Sequence, residues 1–143
     1  MIGRIHAKKS LIKKRRATDL KTAWFIDDDE EMIRAIKLML ELLDFKTLSF
    51  LTAKLAAKSL MDGQQPDVLL LDINMPNVSG IDMLEFVRRR TEWDHIPIVM
   101  LSSEFTDAQV DEAMALGADE YVFKPVMIDE LEKAIRAAIE KRK

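Results

Sequence analysis

The chain of 143 residues contains no cysteine and only two histidines, His6 and His95, which are far apart in sequence. Without cysteine it can form no disulfide, thiolate metal site or cysteine nucleophile. The wide separation of the histidines argues against a histidine metal site or a Ser-His-Asp arrangement. No apolar run exceeds four residues, so no segment is suited to span a membrane. We expect a cytoplasmic protein, which the absence of cysteine fits.

The small net charge of −3 conceals two regions of opposite charge. Residues 1–21 carry a net charge of +7, whereas residues 22–143 carry −10. We interpret residues 1–21 as a flexible basic arm and residues 22–143 as one folded domain. The arm is either a solvated tail or a weak contact for an acidic partner, nucleic acid or a membrane surface, made by charge alone.

Beyond residue 22, short apolar runs alternate with segments that have helical spacing. Strands are predicted at 22–26, 46–50, 67–71, 96–101 and 121–123. Helices are predicted over 31–43, 51–62, 81–88, 106–116 and 128–139, with Thr106 and Gln109 as a possible capping box. This pattern predicts an α/β fold, a flavodoxin-like, doubly wound (βα)5 domain with a five-stranded parallel sheet of order 2-1-3-4-5.

Polar side chains follow four of the five predicted strands. Asp27 and Asp28 follow the first strand, Asp72 the third, Ser102 the fourth and Lys124 the fifth. The carboxyl ends of neighbouring parallel strands meet in one crevice, so we expect these side chains to lie close together. Clustered carboxylates suit a divalent metal, and an aspartate can accept a phosphoryl group. The set therefore predicts a phosphorylatable aspartate in a signalling domain.

Each motif alone has a simpler interpretation. Acids at 27–31 stand at a helix start, where the helix dipole favours negative charge. Ser102 could cap a helix, Lys124 and the proline after it could form a turn, and Tyr121 and Trp93 could be packing aromatics. The combination indicates function, because four strands in the right order each end in the required residue type.

From about Lys21 to Arg142 the chain resembles the receiver domain of bacterial two-component response regulators. The resemblance rests on four motifs, which are FIDDDEEMIRAI, PDVLLLDINMPNVSGIDML, IPIVMLSSE and LGADEYVFKPV. It implies a protein that is not an enzyme in the usual sense, but a phosphoacceptor that promotes its own phosphorylation and dephosphorylation. It also implies an apparently single-domain regulator, although the sequence leaves open whether the chain is a receiver excised from a longer protein.

The resemblance assigns roles within the acidic cluster. Asp72 would be the phosphoacceptor, and Asp28 would bind Mg²⁺ (or Mn²⁺) directly, with Asp27 close by and partly acting through water. The backbone carbonyl of Asn74 would complete the metal ligands. Three consecutive acids leave the metal-binding pair uncertain by one residue, although strand length and helix register favour Asp27 and Asp28 over a pair that includes Asp29.

The resemblance also assigns the switch. Ser102 and Lys124 would contact the phosphoryl group, and Tyr121 would be the aromatic switch residue that turns inward. Asn74 and Glu104 stand at positions that tune dephosphorylation. The bond between Lys124 and the following proline would be cis.

The implied partners are a histidine kinase or phosphotransfer protein and a downstream protein target. That target would bind the face formed by the fourth helix, fifth strand and fifth helix.

Two other classes of protein remain as alternatives. A haloacid-dehalogenase-like phosphatase would need a second aspartate where Asn74 stands, and a degenerate flavodoxin-like module would bind a partner without being phosphorylated. The sequence contains neither a P-loop nor a GxGxxG motif, so it does not support a nucleotide-binding enzyme.

Overall fold

The computed structural model describes residues 20–75, 78–104 and 106–143. Five strands and five α-helices alternate along these residues. The strands are β1 (Thr22–Ile26), β2 (Lys46–Phe50), β3 (Val68–Asp72), β4 (Ile98–Ser102) and β5 (Glu120–Phe123). The helices are α1 (Glu30–Leu42), α2 (Ala53–Met61), α3 (Gly80–Arg88), α4 (Asp107–Ala115) and α5 (Ile128–Lys141). The predicted arm at 1–21 lies outside the described residues, except for Leu20 and Lys21.

The strands form one parallel sheet in the order β2-β1-β3-β4-β5, which confirms the predicted topology. All five residues of β3 and all five of β4 are buried, as expected of central strands covered on both faces. The order places the ends of β1 and β3 side by side, and β4 and β5 follow on the same side of β3.

Side chains of β3 alternate between two apolar clusters on opposite faces of the sheet. Leu69 and Leu71 belong to a cluster that includes residues of α2, α3 and α4. Val68 and Leu70 belong to a cluster formed with α1 and α5. Burial of these two layers drives folding, and it also fixes the register of the strands, because a one-residue slip would exchange the two faces.

Several element boundaries differ from the predicted ones for local reasons. The third strand runs from residue 68 to 72 rather than from 67 to 71, and the Asp67 carboxylate accepts a hydrogen bond from Thr22 N at 2.7 Å. The fourth strand begins at Ile98 rather than at residue 96, because Pro97 has no N–H to donate to a neighbouring strand. The second helix begins after Thr52, whose hydroxyl caps it by accepting from Leu55 N.

The helix predicted over 106–116 is likewise capped by Thr106, whose hydroxyl oxygen accepts from Gln109 N at 3.4 Å. The Gln109 side chain accepts from the Tyr121 hydroxyl at 3.4 Å. Gly117 follows the helix with φ of 111°, a conformation that favours glycine, in agreement with its predicted place as a helix stop. None of the helices in the described ranges has the length and apolar character that crossing a bilayer requires.

A charged cluster closes the amino-terminal end of the sheet. The Asp119 carboxylate is 4% exposed and accepts from Ile98 N at 2.8 Å. It also accepts from Arg88 at 3.0 Å and from Arg142 at 2.8 Å. These contacts tie the ends of α3 and α5 to the starts of β4 and β5.

We expect Asp119→Ala to lower the free energy of unfolding by about 3–5 kcal/mol, because it leaves the buried Arg88 guanidinium without its carboxylate. Urea denaturation measures the loss. The matched control is Glu132→Ala, which removes a surface ion pair with Arg136 and should cost less than about 1 kcal/mol. Equal losses in the two variants would show that the buried cluster does not stabilise the fold.

Candidate functional site

Three carboxylates meet at the carboxyl ends of β1 and β3. Asp27 and Asp28 directly follow β1, and Asp72 is the last residue of β3. One carboxylate oxygen from each lies within 4.8 Å of those from the other two. Asp27 and Asp72 are buried, at 1% and 2% exposure, whereas Asp28 is exposed. The expected convergence of these side chains therefore occurs, and one member of the trio faces solvent.

Lys124 is the cation of this cluster. Its ammonium donates a hydrogen bond to Asp72 Oδ1 at 2.7 Å and lies 4.0 Å from Asp27 Oδ2. The Lys124 backbone N–H donates to Ser102 O at 2.8 Å, which fixes the end of β5 against the end of β4. The peptide bond between Lys124 and Pro125 is cis, as the resemblance implies.

Ser102 ends β4 and is fully buried. Its hydroxyl oxygen accepts from Glu104 N at 3.0 Å, so the serine shapes the loop that leaves the strand. Since Asp72 pairs with Leu101 and Ser102 pairs with Phe123, the ends of β3, β4 and β5 are adjacent. The strand order thus brings Ser102 to the same end of the sheet as Asp72 and Lys124.

Asp29 has a different environment from the two acids before it. Its carboxylate caps α1 by accepting from Glu31 N at 2.9 Å and from Met32 N at 3.4 Å. The negative charge is favourable there because it faces the positive end of the helix dipole. The simpler interpretation of the acidic run as a helix start therefore holds for Asp29, while Asp27 and Asp28 lie beside Asp72.

The electrostatics of the cluster are most visible at Asp27. The pKa of its carboxyl is raised from 3.8 to about 6, chiefly by burial and also by the nearby Asp72 charge, while the Asp29 N–H and Lys124 oppose the rise. Asp27 Oδ1 accepts from Asp29 N at 2.9 Å. Asp27 Oδ2 is buried and has no hydrogen-bond partner among the residues that the structure describes. The positive charge near these carboxylates is thus too small to balance them. A hard divalent cation, which prefers oxygen ligands, would supply the missing charge.

The proposed tuning and switch residues surround the cluster. Asn74 and Glu104 are exposed, each two residues after a strand end. Tyr121 lies in β5 and is half-buried, with its ring 5.3 Å from the Phe123 ring and its hydroxyl bonded to Gln109 of α4. The tyrosine therefore links the strand that precedes Lys124 to the helix that follows Ser102.

Gly80 is a residue of the site that sequence reasoning missed. A Cβ atom at this position would lie 2.3 Å from the backbone oxygen of Asp72, so any side chain would displace the backbone of the proposed phosphoacceptor. Gly80 N donates to Ile73 O at 3.1 Å, and Ser79 begins α3 with a capping box closed by Asp82. The sequence signal was the Ser-x-x-Asp spacing around Gly80, which marks a helix start.

We expect Asp27→Asn to stabilise the metal-free protein at neutral pH. Because the folded state raises the pKa of Asp27 to about 6, it binds a proton more tightly than the unfolded chain does, so stability falls as pH rises from 3.8 to about 6. Above that range the full cost remains, on the order of 3 kcal/mol.

Chemical denaturation in the presence of a chelator measures this difference across pH. The gain from Asp27→Asn should shrink as pH falls through this range and disappear below about pH 3, where the carboxyl is protonated in both the folded and the unfolded state. Asp111→Asn, at an exposed position of α4, is the matched control and should show no such dependence. A pH-independent gain at Asp27 would contradict the account.

Comparison with known proteins supplies the family. The family model described as "Response regulator receiver domain" matches residues 24–136. The transcriptional regulatory protein KdpE of Mycobacterium tuberculosis is 32% identical over 114 residues, covering 80% of this chain and 49% of that protein. This chain spans about half the length of that relative and of several similar regulators. The chemotaxis protein CheY of Pseudomonas aeruginosa is 32% identical over 116 residues, covering 81% of this chain and 94% of CheY.

Solved structures agree with the sequence comparisons. A response regulator receiver domain protein from Clostridium thermocellum superposes with a TM-score of 0.77 at 28% identity, covering 86% of this chain and 97% of the other. The chemotaxis protein CheY4 of Vibrio cholerae, at 24% identity and a TM-score of 0.75, shares the fold over 82% of this chain and 97% of its own. The chain belongs to the family of response regulator receiver domains of two-component signalling.

Proposed function

We propose that Asp72 accepts a phosphoryl group from a histidine kinase or phosphotransfer protein, and that the phosphorylated domain presents an altered surface to a protein target. The observation that carries the proposal is the 2.7 Å contact of Lys124 Nζ with Asp72 Oδ1 inside a cluster of three carboxylates. The contact supports the proposal because the proposed nucleophile, a positive charge and a candidate metal site would then lie together. We take residues 22–143 as the receiver domain and residues 1–21 as a basic arm that could contact nucleic acid only weakly.

The proposed metal ligands are carboxylate oxygens of Asp27, Asp28 and Asp72 and the backbone carbonyl of Asn74. Asp27 Oδ2 is buried and accepts no hydrogen bond from the described residues, and the pKa of this carboxyl is raised. Both observations favour a bound cation there. When bound, Mg²⁺ or Mn²⁺ would neutralise the carboxylates and the oxygens of the incoming phosphoryl group.

The transfer itself needs a free carboxylate oxygen and little else from the chain. An Asp72 oxygen attacks phosphorus, the phosphorus–nitrogen bond to the donor histidine breaks, and the imidazole leaves with the bonding electron pair. Alignment and neutralisation of the phosphoryl oxygens supply most of the rate enhancement in such reactions. The Lys124 ammonium already lies beside the acceptor. It would therefore replace its hydrogen bond to the Asp72 oxygen with one to a phosphoryl oxygen.

The output follows from two side chains on neighbouring strands. We propose that the Ser102 hydroxyl leaves its bond with Glu104 N and donates to a phosphoryl oxygen. Tyr121 would then give up its bond with Gln109 and turn inward, which would change the surface formed by α4, β5 and α5. Met114, Phe123 and Met127 are exposed on these elements or beside them and would contribute to target binding. The phosphoryl group acts by favouring one of two pre-existing states.

Two of the relatives differ in length. The chemotaxis protein of Pseudomonas aeruginosa consists almost wholly of the matched region, whereas the transcriptional regulator of Mycobacterium tuberculosis is about twice as long. For this chain we propose a kinase upstream and, downstream, either a separate partner protein or a linked domain. We further propose a cytoplasmic location, where a kinase could reach Asp72.

Asp72→Asn should abolish phosphorylation. Intact mass after incubation with acetyl phosphate and Mg²⁺ should increase by one phosphoryl group in the wild-type chain and not in the variant. Asp67→Asn, which changes the exposed aspartate immediately before the start of the same strand, is the matched control and should be labelled like the wild type. Labelling of Asp72→Asn at the wild-type rate would refute the assignment, and a wild-type chain that takes no phosphoryl group would favour an unphosphorylated binding module.

Lys124→Ala should leave the chain folded but weaken the coupling between phosphorylation and the α4, β5 and α5 surface. Amide chemical shifts of these elements, recorded before and after phosphorylation, measure the coupling. We expect the shift changes to fall by more than half, because the variant lacks the ammonium that draws β5 toward the phosphoryl group. Lys133→Ala, at an exposed position of α5, should respond like the wild type. A full response in Lys124→Ala would show that another group transmits the signal.

A further inference from the structure

A groove with a volume of about 310 Å³ lies between the end of α1 and one side of α5. Its apolar wall consists of Leu43 and Phe45, which follow α1, and of Ile135 and Ile139 in α5. Lys21, which directly precedes β1, also lines this α1–α5 groove. The groove therefore lies at the end of the sheet opposite to the carboxylate cluster, and the mechanism above uses none of its residues.

An exposed apolar surface continues from the groove along α1. Leu42 directly precedes Leu43 of the groove wall, and Leu38 stands four residues earlier, on the same side of the helix. Leu38 and Leu42 are 60% and 66% exposed, whereas Ile36 and Leu40 of the same helix are fully buried against the sheet. The helix thus has a second apolar side, and an apolar surface of this kind indicates a binding site.

The undescribed residues 1–19 join the domain beside this surface. The chain reaches β1 through Lys21, which is part of the groove wall. Within residues 1–19 the sequence has an apolar pair, Leu11 and Ile12, followed by four consecutive cations at 13–16. The segment therefore combines apolar side chains with positive charge close to the point where the chain enters the domain.

The connection is long enough for the apolar pair to reach the exposed leucines. Ile12 lies nine residues before Lys21, so the chain between them can span up to about 30 Å. The surface from Leu43 to Leu38 is about 8 Å long along the axis of α1. Because the segment is tethered at a short distance, its effective concentration at the groove is high, and a contact that would be weak between separate molecules is populated.

The charges of the two parts are complementary. Residues 1–21 carry a net charge of +7 and residues 22–143 carry −10. Glu41 and Asp44 are exposed at the end of α1, and neither forms an ion pair with a described residue. Both glutamates of the groove itself are already paired with cations of α5 or its end. The cations at 13–16 would therefore meet the acids of α1.

We propose that residues 8–16 of the same chain bind along the α1–α5 groove and cover the exposed leucines of α1. Leu11 and Ile12 contact these leucines, and the cations that follow lie beside the acids at the end of the helix. The order along the chain agrees with this arrangement, because the cations are nearer to Lys21 than the apolar pair is. The proposal is independent of phosphorylation, since the groove is remote from the carboxylate cluster.

The test locates the amino-terminal segment by paramagnetic broadening of amide signals in the full chain. Because the chain has no cysteine, Ser10→Cys provides a single attachment point for a nitroxide next to Leu11. At low ionic strength we expect the amides of the second half of α1 and of Ile139 to broaden. The amides of α3 and α4, which pack on the other face of the sheet, should keep their intensity. The same sample with the nitroxide reduced is the reference.

Two pairs of exposed residues distinguish the apolar contact from general attraction. Leu38→Ser combined with Leu42→Ser removes the exposed leucines of α1, and we expect the broadening there to fall by roughly threefold or more. Leu55→Ser combined with Met61→Ser is the matched control, because these side chains are 52% and 62% exposed on α2. The control should show the same broadening as the starting chain.

A variant of the segment itself keeps the test informative if the changes in α1 disturb the fold. Leu11→Ser combined with Ile12→Ser leaves residues 22–143 unchanged and should reduce the broadening of α1 to the same extent. Contact between copies is measured in a mixture of isotope-labelled chain without nitroxide and nitroxide-bearing chain without isotope. We expect no broadening of α1 in the mixture at low protein concentration.

Each outcome supports or overturns the proposal. Broadening that is confined to α1 and α5, lost in both leucine variants and kept in the α2 control supports it. Broadening spread evenly over the domain, or centred on the carboxylate cluster, overturns it in favour of attraction by charge alone. Undiminished broadening in the leucine variants also overturns it. Equal broadening in the mixed sample overturns binding within one chain and assigns the groove to a second copy.

Discussion

One ammonium group stands against three carboxylates at the carboxyl end of the sheet, and the site depends on that imbalance. Asp27, Asp28 and Asp72 converge because β1 and β3 are neighbours, and Lys124 reaches Asp72 because β5 ends two strands away on the same side. A single cation leaves part of the buried negative charge uncompensated, and burial, together with the Asp72 charge, raises the pKa of Asp27. The arrangement is therefore costly when empty and favourable to any ligand that brings positive charge or can bridge the carboxylates.

Most of the fold could be predicted because its signals are local and repeated. Short apolar runs, helical spacing and the alternation of the two define a doubly wound sheet, and the strand order follows from few alternatives. The polar residues at the strand ends could be predicted for the same reason, since parallel topology alone brings them together. Errors of one or two residues arose where a single group decides a boundary, as Pro97 does at the start of β4 and Thr52 at the start of α2.

The contacts that could not be predicted join residues distant in sequence or depend on space. The sequence pattern predicts Arg88 only as part of a helix, yet its guanidinium is buried and forms a salt bridge with Asp119. Charged side chains are usually exposed, so no local pattern identifies such a pair. Gly80 is required by an approach to the Asp72 backbone that only three-dimensional packing creates. A cavity lined by Asp28, Leu51 and Met75, among others, is formed by three separate loops, and no periodic pattern in the sequence predicts it.

The short strand β5 has a charged anchor at each end. Asp119 immediately precedes its first residue and Lys124 immediately follows its last, so four residues connect the buried amino-end cluster to the carboxylate cluster. At about 3.3 Å per residue the strand is already extended, so the distance between its two ends can change very little. The buried ion pairs that stabilise the fold and the ammonium of the proposed phosphorylation site are therefore held by the same strand. Loss of the contacts at Asp119 would leave the position of the Lys124 ammonium at the opposite end of the strand less well fixed.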